Sequence, residues 1–160
     1  MVTWGELQTT RPDLEAAGRA HFYRVGVGLA FLATVRADGG PRLHPMCPVI
    51  DGDDLYAFLV PSPKRIDLHR DGRYAMHCYP PDDNEDAFYI TGRARVVIDG
   101  ATHDRVAARF LDERGWTQPP DDFGEQELFV FDIDTCLVTT TTGHGDPHPA
   151  HTVWRAPVDT

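Results

Sequence analysis

The chain has 160 residues, of which 41% are hydrophobic and 25% charged, and this composition is typical of one ordinary globular domain. Its net charge of −10 argues against nucleic acid and anionic membrane surfaces as partners, because affinity for both comes mainly from Lys and Arg. The longest apolar run, Val25 to Val35, is about half of the ~20 residues that a membrane span needs, and no signal peptide is visible, so we expect a cytoplasmic protein.

The first elements in the chain predict a helix followed by strands. Pro12 opens a helix over about 12–24, because proline suits the first helical turn. From Leu29 onward, short apolar runs separated by turn residues predict strands. Three of these runs are close enough in the sequence to form an antiparallel meander: Leu29–Arg36, Arg42–Ile50 and Leu55–Val60.

A second helix is predicted over Ser62–Asp71, with Ser62 as its N-cap, Pro63 at its first position and Gly72 as its stop signal. Strands, one further helix and an irregular tail follow it. They are strands over Tyr74–Tyr79 and Ala87–Ile98, a helix over Ala101–Arg114, a final strand pair over Glu127–Ile133 and Cys136–Thr142, and an extended stretch over Thr152–Arg155.

These elements predict a single, mainly β domain over 1–160. Many short strands with close turns favour a barrel or a sandwich, and we place a barrel over about 29–142. Two or three helices would be peripheral, and the tail 143–160 would lie outside the barrel.

The strongest local signal is the pair Lys64-Arg65 at the predicted start of the second helix. Lys64 is the single lysine among 15 basic residues. Cations in a first helical turn oppose the helix macrodipole, at a cost of a few tenths to ~1 kcal/mol each. The free N–H groups of a helix start suit a phosphate. A bound phosphate therefore explains the pair, and the alternative is a solvated helix end whose cations pair with carboxylates.

A second signal is the segment Arg42–Pro48, which contains Pro45 and Pro48. Proline removes backbone donors from a strand ladder, so this segment is predicted at an edge or a bulge. Such backbone could lie against a flat ligand, with Met46 and Cys47 as soft, apolar contacts. The alternative is an edge strand that proline protects from aggregation.

The tail carries the third signal. Its three histidines, His144, His148 and His151, lie on a loop rich in Gly and Pro, where preorganisation for a metal is poor, so no metal site is expected. Trp154 and Arg155 place an aromatic stacking group beside an anion-binding guanidinium, unless they only end a surface strand. The three cysteines are odd in number and far apart, so neither a disulfide framework nor a zinc site is indicated.

Six segments, in this order, resemble the pyridoxamine 5'-phosphate oxidase-like family: Phe31–Arg42, His44–Met46, Ser62–Arg65, Asp71–Tyr74, Tyr89–Ala94 and Thr152–Arg155. The resemblance implies a six-stranded antiparallel split β-barrel that works as a homodimer, with two cofactor sites at the interface. In such proteins the motif matching Ser62, Lys64 and Arg65 holds the cofactor's phosphate. The ring lies along the backbone matching His44, Pro45, Met46 and Cys47 and along the strand matching Phe58 and Leu59. The segment matching Trp154 and Arg155 would approach the ring or the substrate across the dimer.

The resemblance also implies a function. Members that oxidise pyridoxamine phosphate have extra basic residues where this chain has His44, Pro45 and Val49, so that activity is not expected. We expect instead a flavin- or deazaflavin-dependent oxidoreductase that moves a hydride to or from a small organic substrate. FMN is favoured over coenzyme F420, because a polyglutamylated cofactor would need a longer basic groove. The alternative is a cofactor- or haem-binding module without turnover, with His44, His77 or a tail histidine as ligand candidates. The sequence nominates no catalytic acid or base.

Overall fold

A computed structural model of the chain describes residues 1–157, so the last three residues of the predicted tail 143–160 lie outside the described residues. The elements follow one another from helices to strands. They are α1 Trp4–Thr10, α2 Pro12–Phe22, β1 Ala30–Val35, β2 Pro41–Met46, β3 Val49–Asp51, β4 Asp54–Leu59, α3 Pro63–Arg70, β5 Arg73–Cys78, β6 Ala87–Val96, α4 Gly100–Glu113, a short 3₁₀ helix Phe123–Glu125, β7 Glu127–Thr140 and β8 Ala150–Arg155.

The described residues contain four α-helices, so the prediction of two or three is wrong. The helix that the sequence interpretation missed is α1. Its start is a capping box, in which the Thr3 hydroxyl accepts from the Glu6 N–H and the Glu6 carboxylate accepts from the Thr3 N–H. None of the helices in the described part of the chain is long and apolar enough to cross a bilayer.

The sheet closes into a barrel because one extended run belongs to both of its ends. Neighbouring strands follow the antiparallel order β2-β1-β5-β6-β7-β4-β3. Only Cys47 and Pro48 separate β2 from β3, so the two ends of the sheet lie at most about 11 Å apart. The bent run β2–β3 therefore completes a six-membered ring of strands, as the predicted split barrel requires. It pairs antiparallel with β1 before the bend and with β4 after it, so the predicted pairing of consecutive runs is confirmed, whereas the single unbroken middle strand is wrong.

The predicted final strand pair is also wrong, because β7 is one long strand. Its ladder with β6 shifts register between Thr91 and Gly92, which lie opposite Thr135 and Ile133 and leave Asp134 unpaired as a bulge. The bulge lies where the sequence interpretation placed a break between two strands. Before the bulge β7 pairs with β4, and after the bulge it pairs with β8. The two halves of β7 therefore have different neighbours.

Two hydrophobic cores hold the elements together. The larger core fills the barrel and continues beneath α1 and α2, with Trp4, Phe22 and Phe88 in edge-on or tilted contact. The smaller core lies between β4 and β7 on one side and α4 on the other. Strand β4 serves both cores, because its alternate residues point to opposite faces. Helix α4 therefore covers the outer side of β4 and closes this part of the barrel against water.

Candidate cofactor site

Helix α3 begins where the sequence predicts it. Ser62 is the N-cap and Pro63 is the first helical residue. The Ser62 hydroxyl does not cap the helix but donates to the Val60 carbonyl, at 2.9 Å. The Arg65 N–H bonds to the Ser62 carbonyl at 3.1 Å, and Pro63 has no N–H. Few backbone donors are thus left at this helix start, so any anion bound here must depend on side chains.

Lys64 is the side chain that remains available. It is half-buried and makes no hydrogen bond or ion pair with any residue in the range 1–157. Burial lowers the pKa of its ammonium group, and the nearby Cys47 acts in the opposite direction. A partly desolvated cation without a protein partner is unfavourable, and a bound anion would relieve it.

Arg65 has a different environment from Lys64. Its guanidinium donates to the Glu125 carbonyl at 2.8 Å and lies 3.7 Å from the Glu127 carboxylate, which also binds His69 at 2.5 Å. The sequence left open that Lys64 and Arg65 only pair with carboxylates at the helix start. This alternative describes Arg65 but not Lys64. Arg65 anchors α3 to the start of β7, next to the free ammonium group.

The segment His44–Cys47 lies at the edge of the ladder, as its prolines predict. Strand β2 pairs only with β1, with Pro45 opposite Phe31, and its other edge carries no strand among the described residues. His44 and Cys47 are half-buried, Pro45 is exposed, and Met46 points into the barrel core. The half-buried Cys47 thiol is free and is near enough to Lys64 to influence the pKa of its ammonium group.

A second strand edge opens in the same region. Strand β3 covers β4 only from Asp54 to Tyr56. Among the strands that the structure describes, the backbone of Phe58 and Leu59 therefore pairs with β7 alone. The Leu59 side chain lies in the barrel core and the Phe58 side chain in the smaller core, against Phe110 and Phe123. Any ligand contact that these two residues make at this edge would therefore be through their backbone.

Strand β3 is held from outside the sheet. The Tyr23 hydroxyl accepts the Ile50 N–H at 2.8 Å and donates to the Glu113 carboxylate at 3.0 Å. Burial raises the pKa of the Tyr23 hydroxyl well above its ordinary value, so it stays protonated and can donate. This bridge joins α2, β3 and α4, and it fixes the backbone that follows the bend at Cys47 and Pro48.

Trp154 and Arg155 do not lie in this region of the same chain. Trp154 is opposite Cys136 and packs against the barrel core, whereas Arg155 is exposed on the opposite face of β8. Strand β4 ends opposite Glu127, and Cys136, the partner of Trp154, lies nine residues further along β7. Nine residues of strand span about 30 Å, so Trp154 is far from the end of β4. The extended stretch is also longer than predicted, because β8 begins at Ala150 and joins the sheet.

The tail histidines do not converge. His144 lies 3.1 Å from the Asp82 carbonyl, and His151 lies 3.0 Å from the Thr139 hydroxyl. Among residues 1–157, no group of three His, Cys, Asp or Glu side chains is arranged to hold a metal ion. His77, on β5, is exposed, and its Nδ1 lies 2.6 Å from the Cys78 carbonyl.

Sequence reasoning missed one residue at this end of the barrel, the buried carboxylate of Asp67. It accepts hydrogen bonds from the Thr34 hydroxyl at 2.9 Å, from Arg42 at 2.7 Å and from Arg70 at 3.2 Å. Burial alone would raise the pKa of Asp67, but these hydrogen bonds outweigh burial and lower it. The sequence held one signal, the helical i,i+3 spacing of Asp67 and Arg70.

Comparison with known proteins gives structural relatives. No family model and no curated sequence matches the chain. Among solved structures, a protein of Listeria innocua described as a candidate pyridoxamine 5'-phosphate oxidase is 20% identical, covers 78% of this chain and 97% of its own, and superposes with a TM-score of 0.62. The fold is the pyridoxamine 5'-phosphate oxidase-like split barrel.

Other split barrels that resemble the chain bear different names. An F420 reductase is 26% identical over 66% of this chain and 85% of its own, with a TM-score of 0.52. The haem storage protein HutZ from Vibrio cholerae is 14% identical over 78% of this chain and 89% of its own, with a TM-score of 0.57. The split-barrel fold is thus shared by proteins named for pyridoxamine 5'-phosphate oxidation, F420 reduction and haem storage, and residues of this chain must distinguish among them.

Proposed function

We propose that this split barrel binds a flavin or deazaflavin between the bend at Cys47 and the start of α3, and that it acts in the cytoplasm as an oxidoreductase on a small organic substrate. Lys64 carries this proposal. It is a half-buried cation with no partner among residues 1–157, and it stands at a helix start beside two open strand edges. A cofactor phosphate would supply the missing partner, and a flat ring would cover the exposed backbone.

The residues present fit such a cofactor. The ammonium group of Lys64 would pair with the phosphate, and Arg65 would keep α3 in place through Glu125 and Glu127. The backbone of the segment His44–Cys47 and of Phe58–Leu59 would border the ring, and the bridge from Tyr23 would hold β3 still. The bound cofactor supplies the hydride chemistry, and the protein supplies binding, orientation and exclusion of water.

FMN remains the first candidate, and F420 is the second. The three arginines that lie on α3 or just after it, Arg65, Arg70 and Arg73, are all bonded to carboxylates or carbonyls. A long anionic tail would have to compete with these partners, whereas a single phosphate needs only Lys64. Haem is the alternative that the resemblance to HutZ raises, and spectroscopy separates it from both.

Reconstitution tests the proposal. Purified protein would be titrated separately with FMN, F420 and haemin, and binding followed by quenching of the flavin or deazaflavin fluorescence or by the Soret band. We expect Lys64→Ala to weaken flavin or deazaflavin binding about tenfold to a hundredfold, the effect of losing one charge-assisted contact. The melting temperature of this variant should not fall, because the Lys64 side chain has no partner to lose in the part of the chain that the structure describes.

Arg105→Ala is the matched control, because this exposed cation on α4 pairs with Asp51, away from the start of α3. It should leave cofactor affinity unchanged. Equal affinities of wild type and Lys64→Ala for both FMN and F420 would remove the support for this site. A Soret band with no binding of either flavin would replace the proposal by the haem-binding module.

We also propose that the barrel is a homodimer that packs through its outer face. Residues paired across neighbouring strands lie on the same face of the sheet. One such row on the outer face takes one residue from each of six strands: Pro45, Phe31, His77, Tyr89, Leu137 and Val153. The next row contains Leu43, Ala33, Ala75, Thr91, Thr135 and Arg155. Leu43 is 63% exposed and Val153 51% exposed. A second copy would bury this apolar face, and it would bring Arg155 towards the partner's site.

Sedimentation tests the dimer. Leu43→Arg places a charge on the outer face and should shift the protein to a monomer with weaker cofactor binding. Ile98→Arg is the control, because Ile98 is equally apolar and 92% exposed but lies outside this face. A wild-type monomer that binds a flavin stoichiometrically would contradict the dimer proposal.

A further inference from the structure

A cleft of about 360 Å3 lies between α3 and the turn that joins β1 to β2. Helix α3 contributes Pro63, Ile66, Asp67 and Arg70, whose spacing places them on one helical face. Lys64 follows Pro63 by one residue, which turns its side chain about 100° around the helix. Lys64 does not line the cleft. The cleft and the proposed cofactor site therefore use different cationic side chains.

The cleft is basic in a chain of net charge −10. Arg36 and Arg42 line it from the β1–β2 hairpin and Arg70 from the helix, against the carboxylates of Asp38 and Asp67. Three cations against two anions leave a local excess of one positive charge. Such a concave surface attracts anions even though the whole protein repels them.

Arg42 is the guanidinium that is best prepared to bind a ligand. Its Nε donates to Asp67 at 2.7 Å, and its two terminal nitrogens have no hydrogen-bond partner in the described part of the chain. Arg70 bonds to Asp67 and to the Val35 carbonyl. Because Asp67 is buried and also accepts from Thr34, it holds both guanidinium groups in place. Fixed, planar donors of this kind suit carboxylate or phosphate oxygens.

We propose that this cleft is a second anion site, which binds the carboxylate or phosphate group of a small organic ligand other than the cofactor. Arg36, Arg42 and Arg70 would donate to the oxyanion, with Asp67 as the residue that positions Arg42 and Arg70. Ile66 is 66% exposed at the rim, beside Pro63, and both offer apolar contact to the carbon skeleton of the ligand. A volume of about 360 Å3 is that of a site for a small molecule. The proposal does not depend on the identity of the cofactor.

The test uses the intact protein, with inorganic phosphate and succinate as probes and calorimetry or NMR of the arginine side chains as readouts. We expect saturable binding of at least one probe. Arg70→Gln and Arg36→Gln should each weaken it about tenfold or more, the loss expected for a charge-assisted hydrogen bond. Lys64→Ala should leave it unchanged, and saturating FMN or F420 should not displace it. Among the described residues the Arg36 side chain bonds only to Asp38, on the surface, so its variant tests the cleft even if Arg70→Gln unfolds.

Three results would overturn the proposal. Absence of binding of both probes would show that the arginines serve only their protein partners. Displacement of the probe by FMN or F420, or loss of probe binding in Lys64→Ala, would show that the probe occupies the cofactor site. Full binding in a folded Arg36→Gln and Arg70→Gln double variant would place the anion elsewhere. A failure of the proposed cofactor site alone, with weak FMN binding but normal probe binding, would leave the second anion site standing.

Discussion

Trp154 distinguishes a structural from a ligand-binding role for the end of the chain. From the sequence, its aromatic ring beside Arg155 indicates a ligand contact. In the structure, Trp154 is half-buried against the barrel core, and β8 pairs with β7 from Ala150 to Arg155. We therefore expect Trp154→Ala to lower stability, whatever it does to binding.

The magnitude follows from burial. Replacing a fully buried Trp or Phe by Ala costs about 3–5 kcal/mol, so a half-buried Trp should cost about 2 kcal/mol. For a domain of this size, each 1 kcal/mol shifts the melting temperature by roughly 2–4 °C. Trp154→Ala should therefore melt roughly 4–8 °C below wild type in a thermal scan followed by circular dichroism.

Arg155→Ala provides the matched control on the next residue. Arg155 is exposed on the other face of β8, so its loss should change stability by no more than about 0.5 kcal/mol. Cofactor or substrate affinity should fall in this variant if Arg155 reaches the partner's site. An unchanged melting temperature in Trp154→Ala, together with lost ligand affinity, would refute the structural role and support a ligand contact.

Two further predictions concern stability. Asp67→Asn should cost about 2–4 kcal/mol at neutral pH, because three hydrogen bonds to a buried carboxylate are lost or weakened. The native pKa of Asp67 lies below its usual 3.8, so this stabilisation is complete above 3.8 and is lost as the pH falls through the native pKa. Denaturant curves of wild type and variant should therefore converge in acid, and a constant difference would contradict the argument. Gly72→Ala should cost about 1–3 kcal/mol, because its Cβ would lie 2.6 Å from the Ala94 carbonyl oxygen. Gly100→Ala, with open space around its Cβ, should not destabilise, and equal melting temperatures for the two variants would count against the close contact.

The sequence predicted local elements well where residue chemistry determines them. Pro12, Ser62 and Pro63 mark the starts of α2 and α3 because proline and N-cap residues favour those positions directly. The role of Gly72 was predicted wrongly, although the helix does end just before it. Gly72 does not have a positive φ angle; it allows the backbone to approach Ala94, whose N–H bonds to the Gly72 carbonyl at 2.7 Å. No periodicity within a segment reports such a contact between distant segments.

The candidate site was predicted in part for the same reason. Lys64 and Arg65 look alike in the sequence. Only the fold gives Arg65 its partners at Glu125 and Glu127, and it gives Lys64 none within the described range 1–157. Asp67 escaped notice because its partners Thr34 and Arg42 come from strands far away in the chain. The break at Asp134 was recognised, but local sequence does not separate a bulge from a turn.

The bent run from Pro41 to Asp51 also affects the order in which the molecule can fold. Strands β1 and β2 form a hairpin of neighbouring residues, as do β3 and β4, so both can form early. The ring closes only when β4 pairs with β7. This pairing brings Tyr56 opposite Val130, which is far away in the sequence. Until β7 arrives, the two hairpins are connected only through Cys47 and Pro48. Such long-range pairing slows folding to roughly milliseconds to seconds, so ring closure is expected to be the late, rate-limiting event.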